Sequence, residues 1–202
     1  MNAGPNPLPL FPLTAHVLPG GKLPLRIFEP RYVRMVRQSF GQPGGFGMCM
    51  MNTRDSRALR NMYSIGTWVE VVDFEPLEDG LLGITVEGRG AFRIERVWQE
   101  ADGLRMAAVQ YLEQWPDTPL SEGDALLREQ LQRLYQQYDY LARLYPQPLP
   151  HSATWLCQRW LELLPVAASD KQYLLEQPDC RAALAFLNRA LTGQEERPEP
   201  LC

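Results

Sequence analysis

Between Leu8 and Leu112 apolar residues come in short runs or alternate with polar ones; beyond Pro119 they recur at intervals of three and four. The first period belongs to strands and the second to amphipathic helices. The pattern therefore predicts an α+β chain with its strands first. Apolar stretches near 8–11, 22–28 and 46–51, then Thr67–Phe74, Leu82–Glu87, Ala91–Trp98 and Leu104–Leu112, make six or seven strands. That number is enough for a closed or nearly closed barrel. Asp79-Gly80 offers the positive backbone angle of a tight hairpin, and Asp102-Gly103 marks a second turn.

One helix interrupts the strands. Pro30 suits a first helical position, where its missing N–H costs nothing, and it pushes Glu29 toward the extended angles of an N-cap. Phe28 and Val33 then occupy the two positions of a hydrophobic staple. Val33, Val36 and Phe40 share a face, and Gly41 ends the helix.

After Pro116 and Pro119 the helices follow. Ser121 is placed to cap with Asp124. Leu127, Leu131, Leu134, Tyr138, Leu141 and Tyr145 form one stripe along some seven turns of a single helix, stopped by Pro146. A second helix runs from Ser152 to Leu164 and ends at Pro165. Ser169-Asp170-Lys171-Gln172 reads as a capping box opening a third. Asp179 begins a fourth, with Cys180, Leu184, Leu187 and Leu191 on one face before Gly193. The charged, proline-containing tail 194–202 is expected to be disordered.

Composition adds limits. With 202 residues, 45% apolar and 22% charged, the chain reads as an ordinary globular protein. No apolar stretch is long enough to span a bilayer, and the N-terminus lacks the basic and apolar regions of an export signal, so a cytoplasmic location is expected. Cys49, Cys157, Cys180 and Cys202 are widely spaced, which suits neither a disulfide framework nor a zinc site. The net charge of −4 is uneven: residues 26–60 carry +5 and the remainder −9, with Lys22 and Lys171 the only lysines.

Leu10-Phe11-Pro12, then Pro19-Gly20, then Pro24-Leu25 and Phe28-Glu29-Pro30-Arg31-Tyr32 form a compact strand–turn–strand–helix signature. It resembles the opening of the N-terminal domain of the Lon (La) ATP-dependent proteases, a domain that also occurs alone. Leu77-Glu78-Asp79-Gly80-Leu81 and Gly88-Arg89-Gly90-Ala91-Phe92 are similar to its hairpin and next strand, with Ala91 standing where the family usually has arginine. Leu163-Leu164-Pro165 and Lys171-Gln172-Tyr173-Leu174-Leu175-Glu176 are similar to its helical part. The resemblance implies a PUA-like β pseudo-barrel over 1–115 followed by an α-helical bundle over 120–193. It also implies a role in holding and selecting polypeptide.

Chemistry is mostly absent from the pattern. Lys22 follows Gly20-Gly21 but precedes Leu23-Pro24, so no phosphate-binding loop opens a helix there. Ser169 and Lys171 do not make a supported Ser–Lys dyad, and Ser169 is better used as a cap. His16 and His151, far apart and without ligand-like neighbours, read as solvated loop residues. Neither a catalytic residue, a cofactor nor a metal is indicated. Arg31, Arg34 and Arg37 on one helix, with Arg54, Arg57 and Arg60 beyond it, could track a phosphate backbone. The acidic total and the scarcity of interleaved aromatics argue against nucleic acid. The leading expectation is a non-catalytic module that binds polypeptide segments or a protein partner. The alternatives are a PUA-like RNA- or nucleotide-binding protein and an enzyme of unrecognised activity. A binding site is expected at the seam between the two halves, with Trp115, Tyr135, Tyr138, Trp155 and Trp160 as candidates.

Overall fold

The computed structural model describes residues 7–39, 45–52, 61–77, 81–145 and 148–192. The Asp79-Gly80 turn, Gly41, Pro146, Arg54, Arg57, Arg60 and the tail from 194 lie outside the described residues. The strands are β1 (Leu8–Leu13), β2 (Lys22–Ile27), β3 (Phe46–Met51), β4 (Met62–Pro76), β5 (Leu82–Gln99) and β6 (Arg105–Tyr111). Helix α1 (Pro30–Ser39) lies between β2 and β3. After a 3-10 turn at Glu122–Asp124 come α2 (Ala125–Gln137), α3 (Asp139–Leu144), α4 (Ala153–Leu163), α5 (Ala168–Leu175) and α6 (Arg181–Thr192). The chain is of the α+β class.

The strands form one sheet in the order β2-β5-β4-β3-β1-β6, and β5 also pairs with β6. Five strands thus close a ring, with β2 attached outside it. Only β1 and β3 run parallel. The ring is filled from two clusters. Phe11, Phe46, Val69 and Val86 pack beneath Met35 and Val36 of α1; Leu10, Phe92, Ala107 and Val109 fill the other part. The stretches 82–87 and 91–98 are one strand of 18 residues, not two. Bulges at Arg89, opposite Trp68 and Val69, and between Ile94 and Arg96 bend that strand, so it changes partner from β2 to β6 without a turn; a further bulge, between Val71 and Asp73, lies on β4.

Helix α1 begins at Pro30, with the Tyr32 and Val33 N–H groups both donating to the Glu29 carbonyl. The staple does not form. Ile27 takes the inward place (2% exposed), so strand alternation turns Phe28 outward, 66% exposed. Tyr32 instead packs edge-on against Phe11, ring centroids 4.3 Å apart.

The single helix expected over 121–145 is two helices, broken at Tyr138 (φ −119°, ψ 98°). Tyr135 and Tyr145 explain the break, because their rings stack with centroids 5.2 Å apart. Ten residues of straight helix would hold them about 15 Å apart. Folding back buries both rings and leaves Tyr138, at the corner, 44% exposed and outside the stripe. Ser121 bonds the Asp124 carboxylate rather than a helix N–H. Helix α4 is buried on nearly every side and is the axis of the helical core. Its start is capped as the sequence suggests, Ser152 Oγ accepting from the Trp155 N–H at 3.1 Å. The third helix starts instead at Ala168 with Ala167 as its N-cap, so Ser169 caps nothing and Gln172 is released for another task.

Candidate functional site: the seam between sheet and helices

The turn Pro19-Gly20-Gly21 is where the sheet meets α4. Gly20 has φ +72°, which favours glycine. Its N–H donates to the Gly88 carbonyl at 2.8 Å, and the Gly88 N–H donates to the Gly21 carbonyl at 2.9 Å, fixing the turn on β5. From the other side Arg159 and Glu162 reach in from α4. Arg159 donates through Nε to Glu162 Oε2 at 2.7 Å and through Nη2 to Glu162 Oε1 at 2.9 Å. Nη2 also reaches the Leu18 and Pro19 carbonyls at 3.3 and 3.1 Å. Glu162 Oε1 accepts the Leu18 N–H at 2.6 Å. A Cβ at Gly21 would lie 2.1 Å from Glu162 Oε1, so only glycine leaves room for this ion pair. Arg159 is 0% exposed, with the Trp155 and Tyr145 rings 5.5 and 5.8 Å from its guanidinium carbon. Tyr145 Oη accepts the Lys22 N–H at 2.9 Å.

A second tie lies deeper. Gln172 of α5 acts as a peptide group for β4: its Oε1 accepts the Ile65 N–H at 2.8 Å and its Nε2 donates to the Ile65 carbonyl at 2.9 Å. Lys171 beside it is also buried. His16 is not a solvated loop residue. Burial first, and the Lys171 charge second, hold it down to about 3, so it is neutral in the fold. Burial likewise lowers Lys171, against the pull of Glu162, and raises Glu162, against the pull of Arg159. On the sequence Lys171 and Gln172 read as part of a capping box and His16 as a loop residue, and Arg159 and Glu162 are not singled out. The signal that could have found the Arg159–Glu162 pair is its three-residue spacing in a helix rich in Trp and Leu.

The other rim of the seam is open. A cleft of about 320 Å³ lies between β5 and the start of α4, with Trp115 and Trp155 on its walls. Trp115 is anchored by its Nε1 donating to the Gln177 carbonyl at 2.8 Å. Ser152 donates to Asp117 at 2.5 Å and Thr154 to the Pro116 carbonyl at 2.7 Å, so the connector is pinned to α4. Arg89, at the edge, is held by Glu70 and Glu87, each at 2.8 Å. Of the five seam candidates, Trp115 and Trp155 come together here. Tyr135 and Trp160 are core, 1% and 6% exposed, Trp160 donating to the Leu127 carbonyl. Tyr138 packs against Tyr140 at the corner between α2 and α3.

The opening signature divides in the same way. Leu10 and Phe11 are core, Pro12 pairs with Cys49 across β1 and β3, and Pro19 and Gly20 form the seam turn. Pro24 and Leu25 lie on β2, paired with β5. Glu29 pairs with Arg31 at 2.6 Å, and Arg31 also donates to the Gly103 carbonyl. Arg34 is held by Glu100 and Asp102. Two of the three α1 arginines are thus occupied by the turn between β5 and β6 and by Glu29. Among the described residues, no group of three or more His, Cys, Asp or Glu side chains is placed to hold a metal ion. The described cysteines are buried and free; Cys157 lies 4.0 Å from the Cys180 carbonyl. No described helix is long and apolar enough to cross a membrane.

Comparison with known proteins agrees with this architecture. The crystal structure of a Lon N-terminal domain protein from Xanthomonas campestris is 30% identical, with a TM-score of 0.69 over 90% of this chain and 96% of that one. The N-terminal domain of a Mycobacterium avium complex Lon protease, 14% identical with a TM-score of 0.61, has the same fold over 94% of this chain and all of that one. Among curated proteins, cereblon from Danio rerio is 34% identical over 109 residues (52% of this chain, 25% of cereblon). The Lon protease of Treponema pallidum is 31% identical over 124 residues (60% of this chain, 13% of that protease). The chain spans a quarter or less of these two proteins. The model of the ATP-dependent protease La (LON) substrate-binding domain matches residues 7–193, and the chain belongs to that family.

Proposed function

We propose that the chain is a non-catalytic module that holds polypeptide segments in the cleft walled by Trp115 and Trp155. In this reading its two units are a PUA-like pseudo-barrel over 1–115 and a helical bundle over 120–193, joined rigidly so that the cleft keeps its shape. The single observation that carries the reading is the contrast within one seam. The Arg159–Glu162 side is closed by an ion pair and by hydrogen bonds to the turn, whereas the tryptophan side keeps an open, aromatic-walled cleft. Aromatic faces with a few polar groups suit side chains of many kinds, as substrate selection requires. The substrate-binding family supports the same conclusion. The nucleic-acid alternative loses support because Arg31 and Arg34 already have carboxylate partners.

Peptides cut from an unfolded protein, titrated while indole fluorescence and NMR shifts are followed, test the proposal. Binding at about 10–100 μM is expected, with shifts at the Trp115 and Trp155 indoles. Shifts confined to α1 and removed by salt would favour nucleic acid instead. No response at millimolar peptide would end the proposal.

A further inference from the structure

The cleft has a neighbour. Beyond Gln114 a second hollow of about 320 Å³ is walled by Trp68, Tyr111 and Leu112, with Trp68 packed against the core cluster and Tyr111 opposite the core residue Phe92. Trp68 and Tyr111 meet edge-to-face with centroids 6.3 Å apart, and Tyr111 is 56% exposed. Gly90 is part of the lining; a Cβ there would lie 2.7 Å from the Trp68 ring nitrogen, so only glycine leaves room for the indole at this approach. Gln114 lines both hollows.

What Gln114 does there is informative. The outer ladder of β5 is filled by β2 as far as Glu87 and by β6 from Phe92. Between them Gly88 is served by Gly20 and Gly21, and the Ala91 carbonyl accepts the Leu112 N–H. Arg89 is the extra residue of a bulge, since Trp68 faces Gly90 and Val69 faces Gly88. Its carbonyl is met by no strand but by the exposed side chain of Gln114, whose Nε2 donates at 2.7 Å. A side-chain amide on an exposed residue thus stands where a strand's N–H would stand. The charge around this gap leans acidic: Glu70, Glu87 and Asp117 stand with the guanidinium of Arg89, which pairs with the first two, and with Lys22, which lies opposite Glu87 across β2 and β5.

We propose that the two hollows are one binding strip, and that its occupant is an extended polypeptide segment carrying a Lys or Arg between apolar residues, whose backbone N–H replaces Gln114 on the Arg89 carbonyl. The inference rests on the peptide-binding reading above and adds to it the extent, the chemistry and the register. Apolar side chains take the Trp115/Trp155 cleft and the Trp68/Tyr111 shelf. The cation between them meets the carboxylate excess, and main-chain hydrogen bonding sets the direction, as when an extended peptide adds to a sheet edge. The strip has unequal walls, so a segment without charge or with acidic residues is disfavoured.

The test uses the intact protein and a fluorescein-labelled nine-residue peptide of alternating leucine and arginine. A counterpart with glutamate for arginine is measured alongside, both by fluorescence anisotropy. The arginine peptide is expected to bind at least tenfold more tightly. Tyr111→Ser should weaken it about fivefold, and Gln114→Ala, which removes the competing amide, should strengthen it about threefold. Both positions are exposed, and an unchanged thermal midpoint confirms that the variants fold. The Gln114 side-chain NH2 resonances should shift on binding of the arginine peptide. Equal affinity for the two peptides overturns the inference. So does binding that is indifferent to Tyr111→Ser and Gln114→Ala yet reduced by Trp155→Phe; in that case the cleft alone binds and the broader reading survives. Failure of every peptide to bind overturns both.

Discussion

The two rims of the seam are built from the same sheet and the same helix α4 and do opposite things. On one, Arg159, Glu162, Tyr145, Lys22 and the Pro19-Gly20-Gly21 turn leave one described guanidinium nitrogen, Arg159 Nη1, without a partner, and no room for a methyl group at Gly21. On the other, Trp115 and Trp155 face an open cleft. The closed rim does not gain its stability from charge attraction alone, because removing a guanidinium and a carboxylate from water costs about as much as their pairing returns. It gains definition: an arginine that binds the Leu18 and Pro19 carbonyls by geometry admits one docking angle. A fixed angle on one rim is what allows the other to stay open without collapsing. Trp155 links them, one side of its ring on Arg159 and another on the cleft.

The comparison breaks most severely at Arg159. Arg159→Met leaves the Glu162 carboxylate and two carbonyls without their donor and should cost about 3–5 kcal/mol in urea unfolding. Adding Glu162→Leu should restore about half of that loss, since the stranded charge is then gone, although the Leu18 N–H loses its acceptor. A double variant no better than the single would show that the pair matters by shape, not charge.

A smaller effect is expected at the second tie. Gln172→Ala strands the Ile65 N–H and carbonyl in the interior and should lower stability by about 2 kcal/mol. Amide exchange at Ile65 should rise more than at Val69, whose ladder does not depend on α5.

The smallest effect sharpens the picture through pH. His16 is neutral in the fold down to about 3, whereas the unfolded chain takes up a proton near 6.5. Its contribution is therefore complete above about pH 6.5 and is lost as pH falls from there toward 3. The slope is at most about 1.4 kcal/mol per pH unit. Glu162, raised by burial, contributes a slope of opposite sign, but it is common to the protein and to a His16→Gln variant. The difference between their thermal midpoints across pH 7 to 5 isolates His16. Parallel curves would place His16 in water.

Local signals read well from the sequence where local chemistry decides them. Pro30 after Glu29 placed the start of α1, and Ser152 placed the start of α4. The alternation from Ala91 to Trp98 placed the second half of β5. What failed was set by distant partners. Tyr138 has neither proline nor glycine beside it, and the helix breaks there because Tyr135 must reach Tyr145. Gly88-Arg89-Gly90 carries a strand onward because Trp68 and the seam turn approach it closely, not because the chain reverses. Gln172 resembles a cap until Ile65 of β4 is seen opposite. The same holds for the seam: of the aromatics expected there, Trp115 and Trp155 line the cleft, whereas Tyr135 and Trp160 are core, a division that only the packing around them reveals. The charged side of α4 could not be told from a solvated one without the glycines that meet it.

Strand β1 lies between β3 and β6, Leu10 facing Gly47 and Leu8 facing Ala107. On the ribosome this order has a cost in time. The first strand made waits for some hundred residues before β6 emerges to close the ring, roughly 5–20 s at ordinary elongation rates. Over that interval Leu8, Leu10 and Phe11 are an unpaired apolar edge, and the Leu18 and Pro19 carbonyls wait longer still for Arg159. The nascent chain is therefore open to association with other chains at a segment that is buried in the finished domain.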